Sequence, residues 1–103
     1  MKCLILSAIL LIIFLTPAFA DEYKDALAAI QSEPKVINAA WGATPASIFV
    51  GVHNDGSNRN GYAQYICLLI RQHGVNGSTV IHILDAIQMS NNKKVELGKF
   101  ICK

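Results

Sequence analysis

Signatures of catalysis and of metal binding are missing from this chain. No C-x-x-C or H-x-x-x-H spacing occurs, so the usual zinc and dithiol frameworks are absent. There is no G-x-S-x-G elbow, no glycine-rich phosphate loop and no paired-carboxylate signature; Gly74-Val75-Asn76-Gly77 is turn chemistry only. Basic clusters are absent as well. Nine Lys and Arg against seven Asp and Glu in 103 residues give no electrostatic footprint for nucleic acid or an anionic membrane. The sequence contains no internal repeat, low-complexity tract or domain linker, which leaves room for a single small domain.

Long hydrophobic runs are scarce too, with one exception at the N-terminus. Met1-Lys2 supplies a positive charge, and Leu4 to Leu15 is apolar apart from Ser7. Ala18-Phe19-Ala20 then offers small residues at the −3 and −1 positions of a cleavage site, followed by Asp21-Glu22. A charged start, a short apolar stretch and an A-x-A ending form a secretory signal, so residues 1–20 are expected to be removed. The run breaks at Thr16-Pro17, short of the roughly 20 apolar residues a spanning helix needs, so no stable membrane insertion is expected after cleavage. Cys3 precedes the apolar stretch and leaves with it. The expected compartment is the periplasm or the external medium.

Two of the three cysteines, Cys67 and Cys102, remain in residues 21–103. In an oxidising compartment their simplest fate is one structural disulfide. The rival reading keeps Cys67 free as a nucleophile assisted by His73 or His53, or builds a metal site from the two cysteines and some of His53, His73 and His82. The spacing supports no cofactor and no metal, and this rival is the lesser expectation.

Hydrophobic periodicity divides the remainder into six elements. Tyr23, Ala26, Leu27 and Ile30 recur at helical spacing over Asp21 to Gln31, and Ser32-Glu33-Pro34 ends that helix. Val36 to Trp41 alternates as a strand, with Gly42-Ala43-Thr44-Pro45 as the turn. Ser47 to His53 is apolar on both faces and predicts a central strand. Tyr62, Ile66, Leu69, Ile70 and His73 share a helical face, with Asn58 or Asn60 to cap its start and Gly74 its end. Thr79 to Ile87 is the third strand, Met89 to Lys94 a polar connection, and Val95 to Cys102 the last strand. The order α-β-β-α-β-β predicts an α+β domain: a small four-stranded mixed sheet with two helices packed on one face. A crossover through the second helix makes the second and third strands parallel, and brings Cys102 within reach of Cys67.

Candidate binding residues come from two places. The stretch Asn54 to Gly61 packs turn-formers ahead of a helix N-terminus, so Asn54, Asp55, Asn58, Arg59 and Asn60 could present polar groups to a ligand. It is no calcium loop, because Asp55 is its only carboxylate. Trp41, the single tryptophan, ends a strand and could anchor a partner, although core packing is the commoner fate of such a residue. His53 and His82 both sit in predicted strands and would lie side by side, as a proton relay or a metal site, if those strands are neighbours; His82 and Asp85 fall on opposite strand faces. The functional expectation is a small exported binding module acting on a protein or envelope ligand, as an inhibitor or envelope-associated protein would. The rival is the Cys/His hydrolase or metal-binding protein described above.

Overall fold

The computed structural model describes residues 21–103; the expected signal segment lies outside the described residues. Elements follow in the order α1 (Asp21–Gln31), β1 (Val36–Trp41), β2 (Ser47–Val52), α2 (Asn60–Gln72), β3 (Thr79–Asp85), α3 (Ala86–Ser90) and β4 (Glu96–Cys102). The strands form one four-stranded sheet in the order β1-β2-β3-β4. The pairs β1/β2 and β3/β4 are antiparallel hairpins, and β2/β3 is parallel through the α2 crossover. This is the mixed α+β architecture the periodicity implies.

Strand alternation sends Ile48, Val50 and Val52 of β2 and Ile81 and Ile83 of β3 to the helix-covered face, where all are fully or almost fully buried. Ala26 and Ile30 of α1, and Ala63, Ile66 and Ile70 of α2, close the core from above. Cys67 of α2 is bonded to Cys102 at the end of β4, with Cα atoms 5.5 Å apart, so helix and sheet are covalently tied.

Two boundaries differ from expectation by more than one residue. β3 stops at Asp85 instead of reaching Ile87, because the Asp85 carboxylate accepts hydrogen bonds from the Ile87 and Gln88 backbone N–H groups and starts α3. An N-cap of this kind outcompetes the β-propensity of Ile87. The expected polar connection therefore contains a short helix. It lies on the second face of the sheet: a Cβ on Gly51, which would point away from the core, would fall 3.2 Å from the Ala86 Cα. A Cβ there would strike the Asn38 side chain first, so Gly51 leaves room for Asn38 and for the close approach of Ala86 at the start of α3; the Leu84 side chain on the same side is buried. The apolar run of β2 on both faces is explained by these two coverings.

The start of α2 is the second difference. The helix begins at Asn60, and Arg59 is its N-cap without a side-chain capping bond. Asn58 Oδ1 accepts from the Asn60 N–H, while the Asn60 side chain turns to the sheet. Gly74, with φ of 84°, takes the left-handed conformation expected after the helix.

Candidate functional site

The register of the four strands arranges the face opposite the two long helices into three rows. Asn38, Gly51, Leu84 and Glu96 form the first, which α3 partly covers. Ala40, Phe49, His82 and Lys99 form the second, and Ser47, Val80 and Ile101 the third. The second and third rows carry no helix. Ala40 and Lys99 are exposed, Ile101 is half-exposed, and Phe49, His82 and Val80 are partly buried.

At the centre, the His82 imidazole stacks on the Phe49 ring with centroids 5.1 Å apart and planes 17° from parallel. His82 Nδ1 and Glu96 Oε1 lie 2.7 Å apart, which fixes the ring and places a carboxylate beside it. The Lys94 ammonium sits 4.3 Å from the Phe49 ring centroid, inside cation–π range. A bulge in β4 between the partners of Ile83 and Leu84 brings Glu96 into this position.

The turn after α3 positions the lysines. Asn91, Asn92 and Lys93 donate their N–H groups to Gln88, Met89 and Gln88 carbonyls, and Asn92 takes φ of 60°. Asparagine tolerates this left-handed conformation better than most residues. The chain then runs over the sheet, leaving a cleft of about 200 Å³ lined by Phe49, Leu84, Met89, Asn92, Lys93 and Lys94. Its floor is apolar and its rim cationic. Lys93, Lys94 and Lys99 make no ion pair among the described residues, whereas Glu96, the one carboxylate of these rows, is engaged by His82. Such a surface can hold a partly apolar ligand carrying negative charge. A carboxylate-oriented imidazole is also a fragment of acid–base machinery, yet among the described residues no hydroxyl or thiol hydrogen-bonds His82.

The residues singled out in the Asn54 to Gly61 loop come together, but mostly with one another and with the sheet. The Asn54 side-chain amide donates to Asp85 Oδ2 at 3.3 Å, and its Oδ1 accepts from the Gly56 N–H. Asp55 accepts from the Ser57 backbone and hydroxyl and pairs with Arg59 at 3.3 Å. Hydrogen bonds from the Ser57 side chain and backbone, with the Arg59 charge, hold the Asp55 carboxyl below its ordinary value. Arg59 also donates to the His53 carbonyl, and Asn60 Oδ1 accepts the Lys99 N–H at 2.9 Å. Asp85 is likewise shifted down, chiefly by the Gln88 N–H, then by the Asn54 side chain and the Ile87 N–H.

Trp41 donates its indole N–H to the Tyr23 carbonyl at 3.0 Å and meets the Tyr23 ring edge-on at 5.4 Å. It packs against the core and walls a separate cleft with Tyr23, Lys24, Leu27, Ala40 and Gly42. The histidines do not converge. Phe49, not His53, is the register partner of His82; His53 lies beyond the end of β2, and His73 caps α2 at its C-terminus. No group of three or more metal-ligating side chains occurs among the described residues. A sulfur held in the Cys67–Cys102 bond is neither a nucleophile nor a metal ligand.

Sequence reasoning passed over Phe49, Lys94 and Glu96. Phe49 was hidden inside an apolar run, and the lysines inside a stretch taken only as a connection. Asp85 as an N-cap ahead of Ala86-Ile87 and the Asn91-Asn92 pair as a helix stop were the available signals. No family model matches this chain, and no curated protein or solved structure is significantly similar to it.

Proposed function

We propose that this chain is a small exported binding module that holds an acidic segment of a protein partner on the face of its sheet opposite the long helices. The observation that carries this reading is the Phe49–His82 stack with the Lys94 ammonium beside it and Lys99 next in the row. Aromatic surface at the middle and unpaired cations at the margin are the arrangement by which a protein selects a partly apolar, negatively charged ligand. The export half of the proposal rests on residues 1–20, with their charged start, apolar stretch and Ala18-Phe19-Ala20. The compartment is accordingly the periplasm or the medium, and the role that of an inhibitor or envelope-associated protein. The polar groups of the Asn54 to Gly61 loop are largely spent on internal hydrogen bonds, which favours the sheet face over the loop.

The test is an NMR titration of the exported protein with a glutamate-rich peptide and, separately, a lysine-rich one. The glutamate-rich peptide is expected to shift the amides of Phe49, His82, Lys94 and Lys99, and the lysine-rich one to leave them in place. Reversing charge at Lys94 and Lys99 together is expected to weaken that binding by about tenfold or more, the worth of two partly screened cations. Shifts confined to residues 54–61, or none with either peptide, would overturn the proposal.

A further inference from the structure

The two edges of the sheet are treated differently. β4 contains Glu96 and Lys99, and the loop before α2 lies along it: the Arg59 N–H donates to the Leu97 carbonyl at 2.9 Å and Asn60 Oδ1 accepts the Lys99 N–H. Its far end is tied to α2 by the disulfide. β1, reading Val-Ile-Asn-Ala-Ala-Trp, has neither a charge nor a proline. Charge and proline are devices by which natural edge strands discourage pairing, and this edge lacks both; its one such device is a bulge at Ile37.

Backbone alternation identifies which β1 groups face outward. The Gly42 N–H donates to the Ser47 carbonyl, so Ala40 and Asn38 turn their backbone groups to β2 while Trp41 and Ala39 turn theirs away. The Ala39 carbonyl accordingly accepts the exposed Gln31 side-chain amide, at 3.3 Å. Ile37, the extra residue of a bulge opposite Val52, is 63% exposed, among the most exposed large apolar side chains described. At the other end of the same edge, the cleft beside Trp41 is open, with a volume of about 250 Å³ and walls from Tyr23, Lys24, Leu27, Ala40 and Gly42.

We infer that the β1 edge is a self-association surface and that its occupant is the β1 of a second copy, paired antiparallel about a two-fold axis at Ala39. Ile37 and Trp41 are equally far from Ala39 in sequence, so this axis sets Ile37 of each copy opposite Trp41 of the other. The protruding apolar side chain then meets the open cleft in both halves, which is the self-complementarity that a two-fold interface requires. Lys35 falls opposite the uncharged Ala43, so no like charges meet along the pairing. The Gln31 amide yields its place on the Ala39 carbonyl to a backbone N–H. The surface is separate from the Phe49–His82 face, and either assignment can fail alone.

The experiment is sedimentation velocity of the exported, disulfide-intact protein over a hundredfold concentration range, joined to amide hydrogen exchange at both ends of that range. A monomer–dimer equilibrium is expected, with the Ala39 and Trp41 amides exchanging more slowly at high concentration. Ile37→Lys is expected to weaken association about tenfold or more. Ile101→Lys, at an exposed isoleucine of β4, is expected to leave it unchanged. A monomer at every concentration would overturn the inference; the edge would then be open to a foreign strand. So would a dimer indifferent to Ile37→Lys, or one protected at Phe49 and His82 in place of β1.

Discussion

Tyr62 shows how much one side chain depends on its surroundings. It packs against the core from α2, with the Tyr65 ring 5.8 Å away and the Lys35 ammonium 5.7 Å from its centroid. Its hydroxyl is buried without a hydrogen-bond partner. Burial first, and then the charges of Glu33 and Tyr65, push its pKa from 10.0 up to about 12 against a smaller opposing effect of Arg59. The folded state thus holds this proton more tightly than the unfolded chain. Stability is unaffected below the unfolded value of 10.0 and falls as pH rises from there through about 12. Tyr62→Phe removes a buried hydroxyl that lacks a partner, so at neutral pH it is expected to be neutral or to stabilise by up to about 1 kcal/mol. In alkali its melting temperature is expected to fall less steeply than that of the natural protein. Thermal melts at neutral and strongly alkaline pH check both halves. A large loss of stability at neutral pH would show that the hydroxyl has a partner after all.

Between elements, the seam joining the loop at Arg59 and Asn60 to β4 rests on a missing side chain. A Cβ at Gly98 would run into the Arg59 carbonyl carbon, and would lie 2.5 Å from its oxygen and 2.6 Å from the Asn60 nitrogen. These are backbone atoms at a helix start, with little freedom to yield. Gly98→Ala is expected to cost about 1–3 kcal/mol, the range for overpacking, and to raise hydrogen exchange at Lys99 and Arg59, whose N–H groups cross the seam. Urea unfolding with exchange mapping measures both. In the sequence, Gly98 was legible only as one position of an alternating strand, since the atoms it must clear come from a loop 39 residues away in chain order, as the Lys99–Asn60 hydrogen bond spans. The short helix α3 was missed for a related reason. Thr79 to Ile87 is continuous in β-propensity, and only the capping bonds of Asp85 decide where strand gives way to helix. Lys94 came to lie over Phe49 after the turn that follows α3, and the β4 bulge set Glu96 beside His82, so the candidate site was the least legible part of the molecule.

At the scale of the whole domain, the Cys67–Cys102 bond links residues 35 apart. On the chain-entropy account a loop of that length stabilises the fold by about 3–4 kcal/mol, a large share of what a domain of this size possesses. Replacing both cysteines with serine is therefore expected to lower the unfolding free energy by about that amount and to loosen α2 from β4 first, because the bond joins those two elements. Denaturant unfolding of the double variant provides the measurement; a change below about 1 kcal/mol would mean that packing alone holds the two together.

What the sequence determined by itself is local in origin. Helical spacing of Ala26 and Ile30, and of Tyr62, Ile66 and Ile70, and the apolar runs of high β-propensity in β2 and β3, specify elements because each needs an apolar face to bury. The α-β-β-α-β-β order then leaves few topologies, since hairpins are antiparallel and a helical crossover returns a strand parallel. Two cysteines in residues 21–103 left one pairing. Register and edges were decided only in three dimensions. Which side chain stands beside His82, which polar groups the Asn54 to Gly61 loop spends on β4, and which edge stays open all depend on alignments between segments far apart in the chain. Local periodicity records the direction in which a side chain points; it holds no information about the neighbour it meets.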